Sequence, residues 1–366
     1  MLKSAIFNFL AILVLAFSPK CSSFSTSPSK KASIITGANG FVAREVVQEL
    51  LKAFPTDYIY ALVREGRIES ESNYWKQKSD CIQVLPYDML DGGATMKEAL
   101  KTASECHAEI CVYHIASVFG PSEDHVQTAK DNVQGTEDLV HALSAAESNA
   151  KKYRLLVISS MAAVRGSGQD PLNGKWYTDK DWNDKSNLGE NWGSSYQWSK
   201  AESEKRAWEL AKEKGIPMTA ICPSFVFGPP SDGIMTNSYS IELVGQWVWG
   251  KSEVQSRLCV DVRDLAKAVV AAGNNPKAIG QRFIVSKEER IPSQEMSEAL
   301  QSVCLETGVG NADSITYDGN FKGGAIPIGT REVEATEKLE QVLGISLRPV
   351  EETIGDMGRT LLMSKE

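Results

Sequence analysis

Ser33-Ile34-Ile35-Thr36-Gly37-Ala38-Asn39-Gly40-Phe41-Val42-Ala43 is the stretch that decides the fold. A short apolar run of strand character enters a glycine turn. It leaves into Phe41 to Ala53, where apolar residues recur at helical spacing. Gly37 permits the tight turn, Gly40 lets the backbone approach a ligand without a Cβ in the way, and the small Ala43 lets the helix pack on the strand. The start of such a helix presents free N–H groups and the positive end of a dipole. The turn therefore predicts a pyrophosphate seated on Gly37, Asn39, Gly40, Phe41 and Val42.

Outward from this turn, apolar runs alternate with helix-length segments. Strands are expected at Tyr58–Val63, Cys81–Leu85, Glu109–Ala116, Arg154–Ser159 and Met218–Cys222. Helices are expected near Met96–Glu105, Val126–Ala146 and Tyr196–Lys214. Repeated strand-helix-strand units imply a parallel sheet covered on both faces, an α/β doubly wound (Rossmann) fold. Residues 32–225 make up this dinucleotide-binding domain, and residues 226–366 a smaller C-terminal substrate lobe. The lobe is expected to hold a strand-like Gly280–Ser286 and a helix near Gln294–Glu306. Gly166 to Trp192 is polar and too long for an ordinary connection, which marks it as functional.

Of 366 residues, 42% are hydrophobic and 23% charged, enough for a large buried core. A formal charge of −8 with no basic run in the body excludes a nucleic-acid partner. Residues 1–31 differ: Lys3, then an apolar stretch from Ala5 to Phe17, then a polar exit without an acidic residue. That order describes a secretory signal peptide, and its apolar part falls short of the ~20 residues of a membrane span. No stable membrane span is expected after processing. The hydroxylated, basic CSSFSTSPSKK that follows resembles the second part of bipartite plastid presequences, so a complex plastid is one destination; the cytoplasm is the other if the segment goes unused. Seven scattered cysteines without C-x-x-C spacing speak against a disulfide framework. Neither they nor the four histidines show metal-ligand spacing.

The second strand ends Val63-Arg64-Glu65-Gly66-Arg67. An Arg there suits the 2′-phosphate of NADP, where an acid would suit NAD, so NADPH is expected over NADH, on Arg64 with help from Arg67. Asp88, after the third strand, is placed to accept from an adenine amino group, or is a simple loop residue. Tyr196 and Lys200 lie at i and i+4 on a helix and share one face. A Lys charge and an oxidised nicotinamide beside a phenol favour the phenolate and lower a pKa ordinarily near 10. Tyr196 is thus the expected proton donor to a developing alkoxide. The fifth strand ends at Ser159-Ser160, at the ligand-facing edge; Ser160 is the expected substrate-oxygen contact and Ser159 the alternative. Asn132 supports a proton relay or lies on a helix surface. His114, in an apolar strand, reads as a satisfied core residue.

TGANGFVA, LVREGR, VYHIAS, VISSMAAV, YTDKDWND, YQWSKAESEKRAW, CPSFVFGP and VDVRDLAKA occur in an order that resembles the dihydroflavonol reductase/cinnamoyl-CoA reductase branch of the extended short-chain dehydrogenases/reductases, from about Ser33 to Ala271. The resemblance implies a Ser160–Tyr196–Lys200 triad and an NADPH site that takes in Ala116 and Ser117. It also implies that Pro223 to Val226 line the nicotinamide pocket and that Asp179–Trp182 lie near the substrate. Arg165 stands where plant flavonoid reductases carry an Asn that reads the flavonoid ring; it is left to pair with an acidic substrate or face solvent. The expected activity is NADPH-dependent reduction of a ketone, aldehyde or thioester on a small molecule, with a homodimer left open. Nucleotide-sugar epimerases share the sheet, the turn and the Tyr/Lys pair. They stay in competition, as do a sterol-type hydroxyl dehydrogenase and a non-enzymatic NADPH-binding scaffold or sensor.

Overall fold

The computed structural model describes residues 31–146, 152–319 and 329–364. The expected signal segment lies outside them except for Lys31. That residue already opens the first strand, β1 (Lys31–Thr36), opposite Glu109 of a neighbour, so the leader expected to run to 31 overlaps the fold by one residue.

After β1 come helix α1 (Phe41–Ala53), β2 (Tyr58–Val63), α2 (Ile68–Lys76), β3 (Ile82–Pro86), α3 (Ala94–Cys106) and β4 (Glu109–His114). Then follow α4 (His125–Ala146), β5 (Lys152–Ile158), the short α5 (Met161–Val164), α6 (Trp192–Lys214) and β6 (Met218–Pro223). The seven-stranded sheet is parallel, in the order β3-β2-β1-β4-β5-β6-β9, where β9 is Arg282–Val285. Successive strand residues face opposite layers. Ile35, Ala61, Tyr113 and Leu156 meet α1 and a later helix, α8 (Val262–Asn274). Ile34, Leu62, Val112 and Leu155 meet α3, α4 and α6. Both faces are covered, as a parallel sheet requires. Strand order reverses between β1 and β4, and in such sheets the ligand crevice opens at that point, beyond the strands' carboxyl ends.

The remaining chain builds a lobe with its own core. The parallel pair β7 (Phe225–Phe227) and β8 (Cys259–Asp261) packs with α7 (Tyr239–Val248), α9 (Ser293–Thr307) and the C-terminal helix Val350–Met363 around Phe227, Trp247, Met296 and Ile354. The expected division at 225/226 needs correcting. α8 and β9 lie beyond it yet belong to the Rossmann layers. β6 would otherwise leave an unpaired edge, and the buried Arg282–Val285 pairs with it. Several element ends also move, two of them at the site. β4 stops at His114, because the Thr36 hydroxyl accepts the amides of Ile115 (2.9 Å) and Ala116 (3.0 Å). α6 starts at Trp192, because the Asn191 side chain caps it by accepting from Ser194 N–H at 2.9 Å.

Candidate active site

The glycine turn has the geometry a pyrophosphate needs. Gly37 sits at φ +65°, and a Cβ there would lie 3.3 Å from Cα and Cβ of Ala116. Gly40 is the N-cap of α1, with no side chain capping the helix and no acidic residue in its first turn. The opening amides are therefore left for an anion. Asn39 is the turn's tip. The Phe41 side chain is buried in the lobe core against Phe227, so its backbone amide is what it offers a ligand; Val42 bridges the sheet core and the lobe core. Arg64 and Arg67 are both exposed at the end of β2. Asp88 is exposed, with one carboxylate oxygen accepting Leu90 N–H at 2.9 Å. Ser117 follows Ala116 beside Asn132. Pro223 ends β6 of the main sheet and Val226 lies in β7 of the lobe.

Ser160, Tyr196 and Lys200 come together at the carboxyl end of β5. Ser160 caps α5 and accepts Ala162 N–H at 3.1 Å. Its hydroxyl stands beside the Tyr196 phenol and lowers that group's pKa, while burial, the larger effect, raises it above its ordinary value. The Lys200 ammonium lies 6.0 Å from the Tyr196 ring centroid. Lys200 itself is buried and donates to Ile158 C=O at 3.4 Å; burial pulls it down to about 8, against Cys222 and Glu204, which raise it. Of the two serines, Ser159 points away. Its hydroxyl donates to Glu204 at 2.6 Å, which leaves Ser160 as the one facing the phenol.

Several residues take roles that spacing alone left open. His114 is held between the Thr36 and Thr136 hydroxyls, and burial pulls it down to about 3, so it is a neutral core imidazole. Asn132 is buried rather than on a helix surface. It clamps Val118, accepting its N–H at 2.9 Å and donating to its C=O at 3.0 Å. That clamp carries Phe119, whose ring centroid is 4.6 Å from Tyr196, 5.5 Å from Tyr239 and 6.0 Å from Phe225. With Trp192, 5.9 Å from Tyr239, these rings form an aromatic mouth over the phenol that the sequence reading had not singled out. Arg165 neither faces solvent alone nor awaits a substrate: it pairs with the buried Glu332 at 2.7 Å. Glu204 was also missed, although it lies one turn beyond Lys200 on the same face. Among the described residues no three His, Cys, Asp or Glu could hold a metal, and no helix is long and apolar enough to cross a membrane.

A nucleotide-binding glycine turn at the sheet's switch point, with a Ser, a Tyr and a Lys converging on its ligand edge, defines the class of short-chain dehydrogenases/reductases of the extended type. The family model described as male sterility protein, NAD-binding, matches residues 35–248, and the chain belongs to this family. It is similar to cinnamoyl-CoA reductase 1 of Arabidopsis thaliana, 30% identical over 274 residues that cover 72% of this chain and 72% of that one. It is 26% identical to the NADPH-dependent methylglyoxal reductase of Saccharomyces cerevisiae over 367 residues, covering 90% of this chain and 97% of the other. The crystal structure of that yeast reductase complexed with NADPH superposes with a TM-score of 0.74 at 24% identity, over 91% of this chain and 99% of that one. The protein is an NAD(P)-dependent oxidoreductase, and its relatives include NADPH-dependent reductases.

Proposed function

We propose that the protein reduces the carbonyl group of a small, largely apolar molecule to an alcohol, with Tyr196 as the proton donor. The observation that carries this reading is the meeting of Ser160, Tyr196 and Lys200 beneath the aromatic mouth, at the edge where the glycine turn opens. NADPH supplies the hydride. The Ser160 hydroxyl donates to the carbonyl oxygen and fixes the face presented. The Tyr196 phenol, kept protonated by its surroundings, gives its proton to that oxygen as negative charge builds there. The Lys200 ammonium, one helical turn away, stabilises the phenolate left behind. Phe119, Trp192, Phe225 and Tyr239 keep water from the oxygen and favour an apolar substituent beside it.

The test is NADPH oxidation followed at saturating cofactor with a panel of aldehydes, ketones and acyl thioesters, for wild type and Tyr196→Phe. Loss of general acid catalysis lowers kcat by about 10²–10⁴-fold with NADPH affinity retained. A Phe variant that turns over at the wild-type rate removes Tyr196 from the reaction.

A further inference from the structure

Glu204 and Arg282 are a buried ion pair that the reaction itself does not use, with side chains 0% and 7% exposed. Five hydrogen bonds converge on the carboxylate, one of them from the Cys222 thiol at 3.6 Å. Arg282 donates from Nε at 2.6 Å and Nη2 at 3.1 Å, the Ser159 hydroxyl from 2.6 Å, and the Trp208 indole from 3.1 Å. The guanidinium has a second set of partners. Its Nη1 donates to the carbonyls of Asp179 (2.8 Å) and Asp181 (2.7 Å), and its Cζ lies over the Trp182 ring, 3.7 Å from the centroid. The next residue of that loop, Asn183, donates from its backbone to Ala163 C=O (2.9 Å) and from its side chain to Ala162 C=O (2.7 Å). Those carbonyls belong to α5, the helix that Ser160 caps.

The contacts close a circuit. From Lys200 one helical turn leads to Glu204. Arg282 then carries the connection to the 179–183 segment, Asn183 to α5, and α5 to Ser160. A second, direct link runs from Glu204 to Ser159, the residue before Ser160. Replacing a buried ion pair with apolar residues of similar size often leaves stability unchanged or improved, so the pair is poorly explained as a source of stability. Its geometry serves position: one fork holds the catalytic helix and the long 166–192 loop at the same time.

We infer that Glu204 and Arg282 are positioning residues that dock the 166–192 loop onto α6 and thereby set Ser160 against Tyr196 and Lys200. The inference rests on the carbonyl-reductase reading above. Arg282→Lys keeps the charge but replaces a planar fork with a single ammonium, which can serve Glu204 but not two loop carbonyls as well. The expected result is a fall of about tenfold or more in kcat/KM for the carbonyl, with the Kd for NADPH within about twofold of wild type. A second variant, Glu204→Leu with Arg282→Met, removes both charges. Its thermal midpoint is expected to recover above that of either single variant, while carbonyl turnover stays about tenfold or more below wild type. Carbonyl kcat/KM within about twofold of wild type in Arg282→Lys, or turnover that recovers along with the midpoint in the double variant, overturns the inference. Tyr196→Phe assayed alongside separates the two failures. Retained turnover there sinks the reaction assignment; lost turnover there with a normal Arg282→Lys sinks only the positioning role.

Discussion

Replacing Lys200 with Met should make the protein more stable while abolishing its turnover. Burial brings the ammonium from an ordinary 10.5 down to about 8. At 1.36 kcal/mol per pKa unit, the folded state therefore carries a penalty of about 3 kcal/mol for keeping this group charged at neutral pH. The Met side chain fills a similar volume without that penalty and forfeits the long hydrogen bond to Ile158 C=O, which contributes about 1 kcal/mol. Glu204 is not orphaned by the change, because Arg282 still holds it. The net expectation is a gain of about 2 kcal/mol near pH 6.5. The folded-state pKa lies below the unfolded one, so between about 8 and 10.5 the unfolded chain holds the extra proton and wild-type stability rises with pH. The Met variant lacks this group. Its advantage is full below about pH 8, falls through zero at about pH 9.5, and gives way above that to the small cost of the lost hydrogen bond. Urea denaturation of both proteins at about pH 6.5, 8 and 9.5 reads the difference directly, since every other titrating group is common to both. A Met variant less stable than wild type at the lowest pH, or a difference that stays flat across the series, refutes the reasoning.

Gly37→Ala is expected to lose about 1–2 kcal/mol of stability, because the position is left-handed and a Cβ would press on Ala116; urea titration measures it, and fluorescence titration should show weakened NADPH binding as well. Arg64→Ser is expected to raise the NADPH Kd about tenfold, equivalent to ~1.4 kcal/mol, and to leave the NADH Kd unchanged. Equal loss for both cofactors would mean that Arg64 does not read the 2′-phosphate. Residues 1–35 fused to a fluorescent protein are expected to carry it into the secretory pathway and onward to a complex plastid; fluorescence that stays in the cytosol ends that proposal.

Much of the Rossmann framework was legible because its signals are local. A strand, a glycine turn and an amphipathic helix within residues 33–53 are each written in short-range periodicity, and helix Phe41–Ala53 falls where the spacing put it. Tyr196 and Lys200 were legible for the same reason: four residues on one helix must share a face. Asn191, by contrast, caps α6 from within a polar stretch where nothing in the periodicity marks a helix start.

The sequence by itself determined the alternation, the nucleotide turn and the Tyr/Lys pair. Only the tertiary structure decided which of two adjacent serines faces the phenol, since Ser159 is claimed by a carboxylate 45 residues away. It also decided that Arg282 and the strand around it return to the main sheet, and that Arg165 is spent on Glu332. These outcomes depend on which distant groups desolvation forces to pair, and a buried charge selects its partner through the packed fold rather than through its neighbours along the chain.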